Sequence, residues 1–259
     1  MNKITVIGGG NLGSAIVGGL LKSGKFDAEN ITITKRNPET LHELKLAGVK
    51  VLVDNNKAVE NADIIILAVK PYQIQEILTG TTFYDDQIVI SAITGVWLKD
   101  LHQWINSKVF LFRAMPNTAI AIQQSMTCIS SNGAGAEQIA IVKELFDHLG
   151  EVAFIEEKLM NAATVLGACG TAFALRYIRA SIQGGIQIGF SAEQASFIVA
   201  QTVKGASELL LINHTHPEQE IDKVTTPMGC TIAGLNALEH KGFSSSLITG
   251  LVASYEKIG

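Results

Sequence analysis

An open parallel α/β sheet followed by an all-helical region is the fold the sequence predicts, and three observations predict it. Up to about residue 155, short β-branched runs alternate with amphipathic segments, the pattern of βαβ units covered by helices on both faces. The first of these runs passes directly into a glycine-rich turn. Beyond residue 156 the strand-like runs stop, and long Ala-, Leu- and Gln-containing stretches with apolar spacings of three and four take over.

Taken in order, six runs read as the main strands: residues 4–7, 31–34, 49–53, 64–69, 88–91 and 109–112. Two more, 126–130 and 151–155, flank a helix-like segment at 136–149 and are placed at the far edge of the sheet. The change of texture sets a domain boundary between 156 and 157, with a nucleotide-type domain at 1–156 and a helical domain at 157–259. In the helical part, Ser191 with Glu193 and Gln194 reads as a helix start, and 214–217 as a break. Pro227 reads as the first turn of another helix.

Composition bounds the rest. A chain of 259 residues with 47% hydrophobic content can bury its core without cross-links. Cys128, Cys169 and Cys230 lie far apart, with no C-x-x-C pair and no histidine at ligand spacing. No metal site is therefore expected, and the chain reads as a cytoplasmic protein of a reducing compartment. A net charge of −4 offers no basic stripe for nucleic acid. The uncharged stretch 4–21 has the length of a membrane anchor, but six of its 18 residues are glycine and it reads as strand, turn and helix. The uncharged span between Lys158 and Arg176 is short and interrupted by Asn161 and Thr164. No membrane contact is expected.

The first strand runs into Gly8-Gly9-Gly10-Asn11-Leu12-Gly13, which fits G-x-G-x-x-G in its strand-to-helix context. Gly8 permits the tight turn, Gly10 lets a pyrophosphate approach the backbone, and Gly13 lets the helix pack closely on the strand, so a Rossmann-type dinucleotide site is expected. Asn11 and Leu12 open the helix whose unpaired N–H groups face the phosphates. At the end of the second strand, where an NAD-preferring site carries Asp or Glu, this chain has Lys35-Arg36-Asn37. Two cations there suit the 2′-phosphate of NADPH, Arg36 by a forked contact and Lys35 as a point charge. NADH stays open as the second choice.

Four further stretches carry a family resemblance along essentially the whole chain: Asn55-Asn56, Ala68-Val69-Lys70-Pro71, Ser91 to Val96, and Arg113-Ala114-Met115-Pro116-Asn117-Thr118. The most specific is Thr225-Thr226-Pro227-Met228-Gly229-Cys230-Thr231, followed by Leu238-Glu239 and Gly242-Phe243. With these motifs the chain resembles the pyrroline-5-carboxylate reductase family. The resemblance implies NADPH-dependent reduction of 1-pyrroline-5-carboxylate to proline. It implies that Asn56 contacts the adenosine ribose or its phosphate, and that Ala68, Val69, Lys70, Pro71, Met115 and Asn117 line the path to the nicotinamide. It also implies that the substrate carboxylate is taken by the amides of Gly229, Cys230 and Thr231 with the Thr226 hydroxyl, while Thr231, the catalytic candidate, hydrogen-bonds the ring nitrogen. Association through the helical domains is implied too, and with only 103 residues after position 156 a homodimer at least is expected, with a ring of dimers open.

Several positions depart from the family pattern. Met228 stands where a second glycine is usual, Gly167-Ala168-Cys169-Gly170-Thr171-Ala172-Phe173 replaces a Ser-Gly-Ser-Gly-Pro-Ala-Tyr-like stretch, Ala119 replaces a proline, and Gln123-Gln124-Ser125 replaces a Gly-x-Gly. They leave two alternatives, a reductase of another cyclic imine and a non-catalytic NADPH sensor. Hydroxyacid-type and short-chain chemistry are disfavoured, because no lysine lies between Lys158 and Lys204 and no tyrosine is followed four residues later by lysine. The histidines lie outside every motif.

Overall fold

The computed structural model describes residues 2–105 and 107–258. Eight strands form one sheet: β1 (Ile4–Ile7), β2 (Ile31–Thr34), β3 (Lys50–Leu52), β4 (Ile64–Leu67), β5 (Ile88–Ser91), β6 (Phe110–Met115), β7 (Ser125–Ser131) and β8 (Gly150–Phe154). Their order is β3-β2-β1-β4-β5-β6-β7-β8, and the first six are mutually parallel. All eight strands anticipated from the apolar runs are present.

The central strands β1, β4 and β5 are buried along their whole length because both sides are covered. Ile64 and Ile66 of β4 join a core with Ile16, Leu20 and Phe146, whereas Ile65 and Leu67 join a second core with Leu78, Leu98 and Leu101. The period of two along each strand sends alternate residues to opposite layers. The covering helices include α1 (Asn11–Ser23), α2 (His42–Leu46), α3 (Asn55–Val59), α4 (Ile74–Thr79), α5 (Leu98–Trp104) and α6 (Ala136–Asp147). Burial of each such side chain stabilises the fold by about 1.5–3 kcal/mol.

One feature of the sheet differs from the parallel reading. β7 runs antiparallel to β6, and β8 runs parallel to β7, so the last two strands point against the other six. The link at 116–124 holds only a short 3-10 turn, Thr118–Ile122. A parallel return needs a crossover of roughly a dozen residues or more, so this link permits only an antiparallel neighbour.

After β8 the chain becomes helical: α7 (Met160–Ala163), a π-helical segment Thr164–Cys169, α8 (Gly170–Gln187), α9 (Ala192–Asn213), α10 (Pro217–Lys223), α11 (Cys230–His240) and α12 (Phe243–Ile258). Ser191 caps α9 through a capping box with Gln194, and the break at 214–217 holds His214 at φ 51°. The expected helix start at Pro227 is corrected: Pro227 lies in a turn, Met228 takes a left-handed φ of 58°, and α11 starts only at Cys230 with Gly229 extended as its cap. A left-handed residue cannot belong to a right-handed helix, so the helix is delayed past it.

Two compact units organise the chain, Met1–Cys169 with Tyr255–Gly259, and Gly170–Ser254. The last strand is β8, and the units divide after Cys169, with Met160, Ala163 and Val165 buried within the first unit. Within the second unit, Ala195 alone among the described residues is buried. The stretches Glu157–Gln187 and Ala192–Asn213 are long and apolar enough to cross a membrane by length and composition, with mean hydropathies of 1.2 and 1.3. The span from Lys158 to Arg176 is thus part of a longer apolar helical stretch than the sequence suggested.

Candidate functional site

β1 leads to β2 on one side and β4 leads to β5 on the other, so the strand order reverses between β1 and β4. Open α/β sheets bind ligands at that crevice, outside the carboxyl ends of the strands. The glycine turn occupies it. Gly8 has φ +111°, and a Cβ there would lie 2.5 Å from the Ala68 carbonyl oxygen and 2.7 Å from Val69 Cγ1. A Cβ on Gly13 would run into the Gly8 carbonyl oxygen, which is the close helix-to-strand packing the motif provides. Gly10 differs from both. Its φ of −82° suits any residue, and a Cβ there would meet nothing within 4 Å. Gly10 caps α1 without a side-chain hydrogen bond, and no acidic residue occupies the first turn. The amides of Asn11, Leu12 and Gly13 therefore open onto the crevice with the positive end of α1 behind them.

Lys35 follows β2, and its Cβ would stand 3.2 Å from a Cβ built on Gly9, so its stem borders the glycine turn. Arg36 is exposed beside it. Neither cation makes an ion pair or side-chain hydrogen bond among the described residues, which leaves both charges open to an anion. Ala68 continues β4, donating its N–H to the Ile7 carbonyl (2.8 Å), and Lys70 with Pro71 starts the next 3-10 turn. Met115 ends β6 and is buried.

Two asparagines hold the chain itself. Asn56 Nδ2 donates to the Gly80 carbonyl (3.0 Å) and Asn56 Oδ1 accepts from the Thr82 N–H (2.7 Å), fastening α3 to the loop after α4. Asn117 Oδ1 accepts from the Ala119 N–H (3.0 Å), and its Nδ2 donates to the Gly167 carbonyl (3.2 Å) in the π-helical segment. Both sit at the carboxyl edge of the sheet, but each spends hydrogen-bonding capacity on the fold.

Sequence reasoning gave Arg113 no role of its own. Its side chain is 1% exposed, Nη1 donates to Glu157 Oε1 (3.2 Å), and the guanidinium lies 5.3 Å from the Trp97 ring centroid. Burial pulls its pKa below the usual arginine value, and the hydrogen bond and charge of Glu157, with Asp100 further off, pull it back. An arginine within the otherwise apolar strand Phe-Leu-Phe-Arg-Ala-Met was the available signal. Its partner Glu157 lies 44 residues away, which no local pattern reveals.

In the second unit, the turn before α11 carries the substrate candidates. Thr225 is tied down, its hydroxyl donating to the Ile221 carbonyl (2.7 Å), whereas the Thr226 and Thr231 hydroxyls have no partner among the described residues. The Gly229 N–H donates to the Thr226 carbonyl (2.9 Å), so it closes the turn and is not free for a ligand. The first-turn amides of Cys230 and Thr231 remain, since no side chain caps α11. A Cβ on Gly229 would stand 2.5 Å from Thr226 Oγ1, so glycine keeps that hydroxyl where it is. No cluster of three or more His, Cys, Asp or Glu among the described residues could hold a metal ion.

A switch-point glycine loop, an uncapped helix start and free cations after β2, followed by a helical unit, are the features of a Rossmann-type dinucleotide-binding protein. Residues 3–95 match the family profile described as NADP oxidoreductase, coenzyme F420-dependent, and residues 157–259 match pyrroline-5-carboxylate reductase dimerisation. The chain is 44% identical over 99% of its length to pyrroline-5-carboxylate reductase 1 of Dictyostelium discoideum, of which it spans about half (49%). It is 40% identical over 98% of its length to reductase 2 of the same organism and covers 91% of that relative. Among solved structures, the NADP-bound pyrroline carboxylate reductase of Plasmodium falciparum superimposes with a TM-score of 0.91 at 26% identity, covering 99% of this chain and 97% of that one. The reductase of Streptococcus pyogenes gives a TM-score of 0.89 at 28% identity, covering 99% and 98%. The chain belongs to the pyrroline-5-carboxylate reductase family.

Proposed function

We propose that this chain reduces 1-pyrroline-5-carboxylate to proline with NADPH. The observation that carries the reading is that both the glycine loop and the turn at 226–231 fall within a full-length match to reductases of that name. The cofactor fits the residues present, because the space beside Gly10 is clear and the α1 amides face it. Gly8, Gly10, Asn11, Leu12 and Gly13 take the pyrophosphate at the helix start. Lys35 and Arg36, both unpaired, take the 2′-phosphate. Ala68, Val69, Lys70, Pro71 and Met115 border the nicotinamide path, with Asn56 and Asn117 shaping its walls.

When bound, NADPH supplies a hydride for the imine carbon. The imine nitrogen is basic enough to arrive protonated near neutral pH, so the chain needs no strong acid and its task is positioning. The Cys230 and Thr231 amides and the Thr226 hydroxyl donate to the substrate carboxylate, and Thr231 Oγ1 accepts from the ring N–H. The altered stretch Gly167 to Phe173 falls on the π-helical segment and the start of α8, which favours one second reading, a different cyclic imine as substrate.

The assembly is a homo-oligomer, since the family's dimerisation region spans residues 157–259 and the helical unit buries almost nothing alone. We place it as a homodimer, or a ring of dimers, with the apolar faces of Glu157–Gln187 and Ala192–Asn213 covered by a second copy and not by lipid. Its unpaired, separated cysteines suit the cytoplasm.

The test is loss of NADPH absorbance with pyrroline-5-carboxylate, a six-membered imine and a keto acid, for the wild type and Thr231→Ala. Oxidation confined to the five-membered imine, with proline as product and turnover lost in Thr231→Ala, is expected. NADPH oxidation by the six-membered imine alone would replace the substrate, and full turnover in Thr231→Ala would remove that hydroxyl from the chemistry.

A further inference from the structure

Arg113 is the largest fully buried side chain among the described residues, and the proposed reduction does not use it. It lies on β6 in register with Ser91, the last residue of β5. Its Nε and Nη2, and the neighbouring Ser91 Oγ, are buried with no hydrogen-bond partner among the described residues. Replacing a buried ion pair by apolar groups is commonly neutral or stabilising, so an arginine with two unsatisfied donors is poorly explained as a stabilising device.

What it holds is a loop. Residues 92–97 leave β5 and enter α5, and the loop is fastened at both ends. Ala92 N–H donates to the Leu67 carbonyl (2.9 Å), next to the Ala68 that borders Gly8, and Trp97 N–H donates to Asp100 Oδ2 (3.2 Å). Leu98 N–H donates to Glu157 Oε1 (2.6 Å), the same oxygen that accepts from Arg113. The guanidinium therefore presses on the loop twice, through the face of Trp97 and through the carboxylate that anchors Leu98. Two residues further along its own strand lies Met115, at the nicotinamide side of the proposed site.

We propose that Arg113 is a positioning residue for the cofactor: with Trp97 and Glu157 it fixes the 92–97 loop in the shape that receives the nicotinamide end of NADPH. The inference rests on the cofactor reading above and not on the identity of the imine. Glu157 is partly exposed (26%), so water can take over its charge when the arginine is removed, and Arg113→Met should fold.

The experiment measures NADPH affinity by fluorescence titration, kcat and both KM values, and the thermal midpoint, in the full-length wild type, Arg113→Met and Trp97→Leu. Loss of a charge-assisted contact predicts NADPH affinity about tenfold weaker in Arg113→Met. Loss of the cation–π contact predicts about threefold weaker in Trp97→Leu. In both, the KM for the imine should stay near the wild-type value. Wild-type NADPH affinity in the two variants would overturn the proposal, and a lowered thermal midpoint with unchanged affinity would mark the ion pair as purely structural. Should Arg113→Met not fold, Trp97→Leu, which leaves the ion pair in place, decides alone. A wild type that fails to bind NADPH would remove the cofactor reading and this inference together, whereas binding without turnover of the five-membered imine would remove only the substrate.

Discussion

Met228 carries a φ of 58° with its side chain wholly exposed, so nothing within the chain compensates a backbone that costs a non-glycine residue about 1–2 kcal/mol. Gln123 has the same problem at φ 60°, eased by a hydrogen bond from its Nε2 to the His148 carbonyl (3.3 Å). At both positions glycine would take up the same backbone shape without that cost. Met228→Gly is therefore expected to stabilise the protein by up to about 1 kcal/mol, after glycine's greater freedom in the unfolded chain is offset. Urea unfolding checks it, and a lowered midpoint would mean that the Met228 side chain packs in the assembled oligomer. At this scale the sequence was most legible where one residue answers one steric demand. Gly8 and Gly13 are such cases. Asn56 and Asn117 were harder, because the carbonyls they bind, Gly80 and Gly167, come from distant segments that only the fold brings near.

The eight strands were legible because strands of three to seven residues leave short runs rich in β-branched and apolar residues, too short for helices. The direction of β7 and β8 was not, since reversal depends on a link length that pattern alone undervalues. The delayed start of α11 was hidden for another reason: proline suits a first helical turn and a tight turn equally well, and the left-handed Met228 decides between them. The π-helical segment belongs to the same scale. It places the Gly167 carbonyl opposite Asn117, which also caps the turn at 118–122. Asn117→Ala should cost about 1–2 kcal/mol by losing both contacts, and Asn117→Asp, which keeps the cap, about half as much. Thermal unfolding of the two variants would separate the contributions, and equal losses would assign the whole effect to the Gly167 contact.

The helical unit leaves large apolar side chains uncovered, with Phe197, Leu211 and Ile212 each more than two-thirds exposed or close to it. Surfaces of this extent on a folded chain mark an interface. An assembly that buries them links stability to protein concentration. The thermal midpoint should therefore rise with concentration, and Leu211→Glu should lower both the mass seen by light scattering and the midpoint. A wild type that runs as a monomer with a concentration-independent midpoint would refute the homo-oligomer.

The open space at Gly10 has a use beyond the cofactor itself. Because the fold asks nothing of that position, a library of variants sorted for abundance in the cell should pass alanine at Gly10 and reject it at Gly8 and Gly13, while a library sorted for growth without supplied proline should reject all three. The gap between the two selections would trace the outline of the bound dinucleotide in genetic data alone.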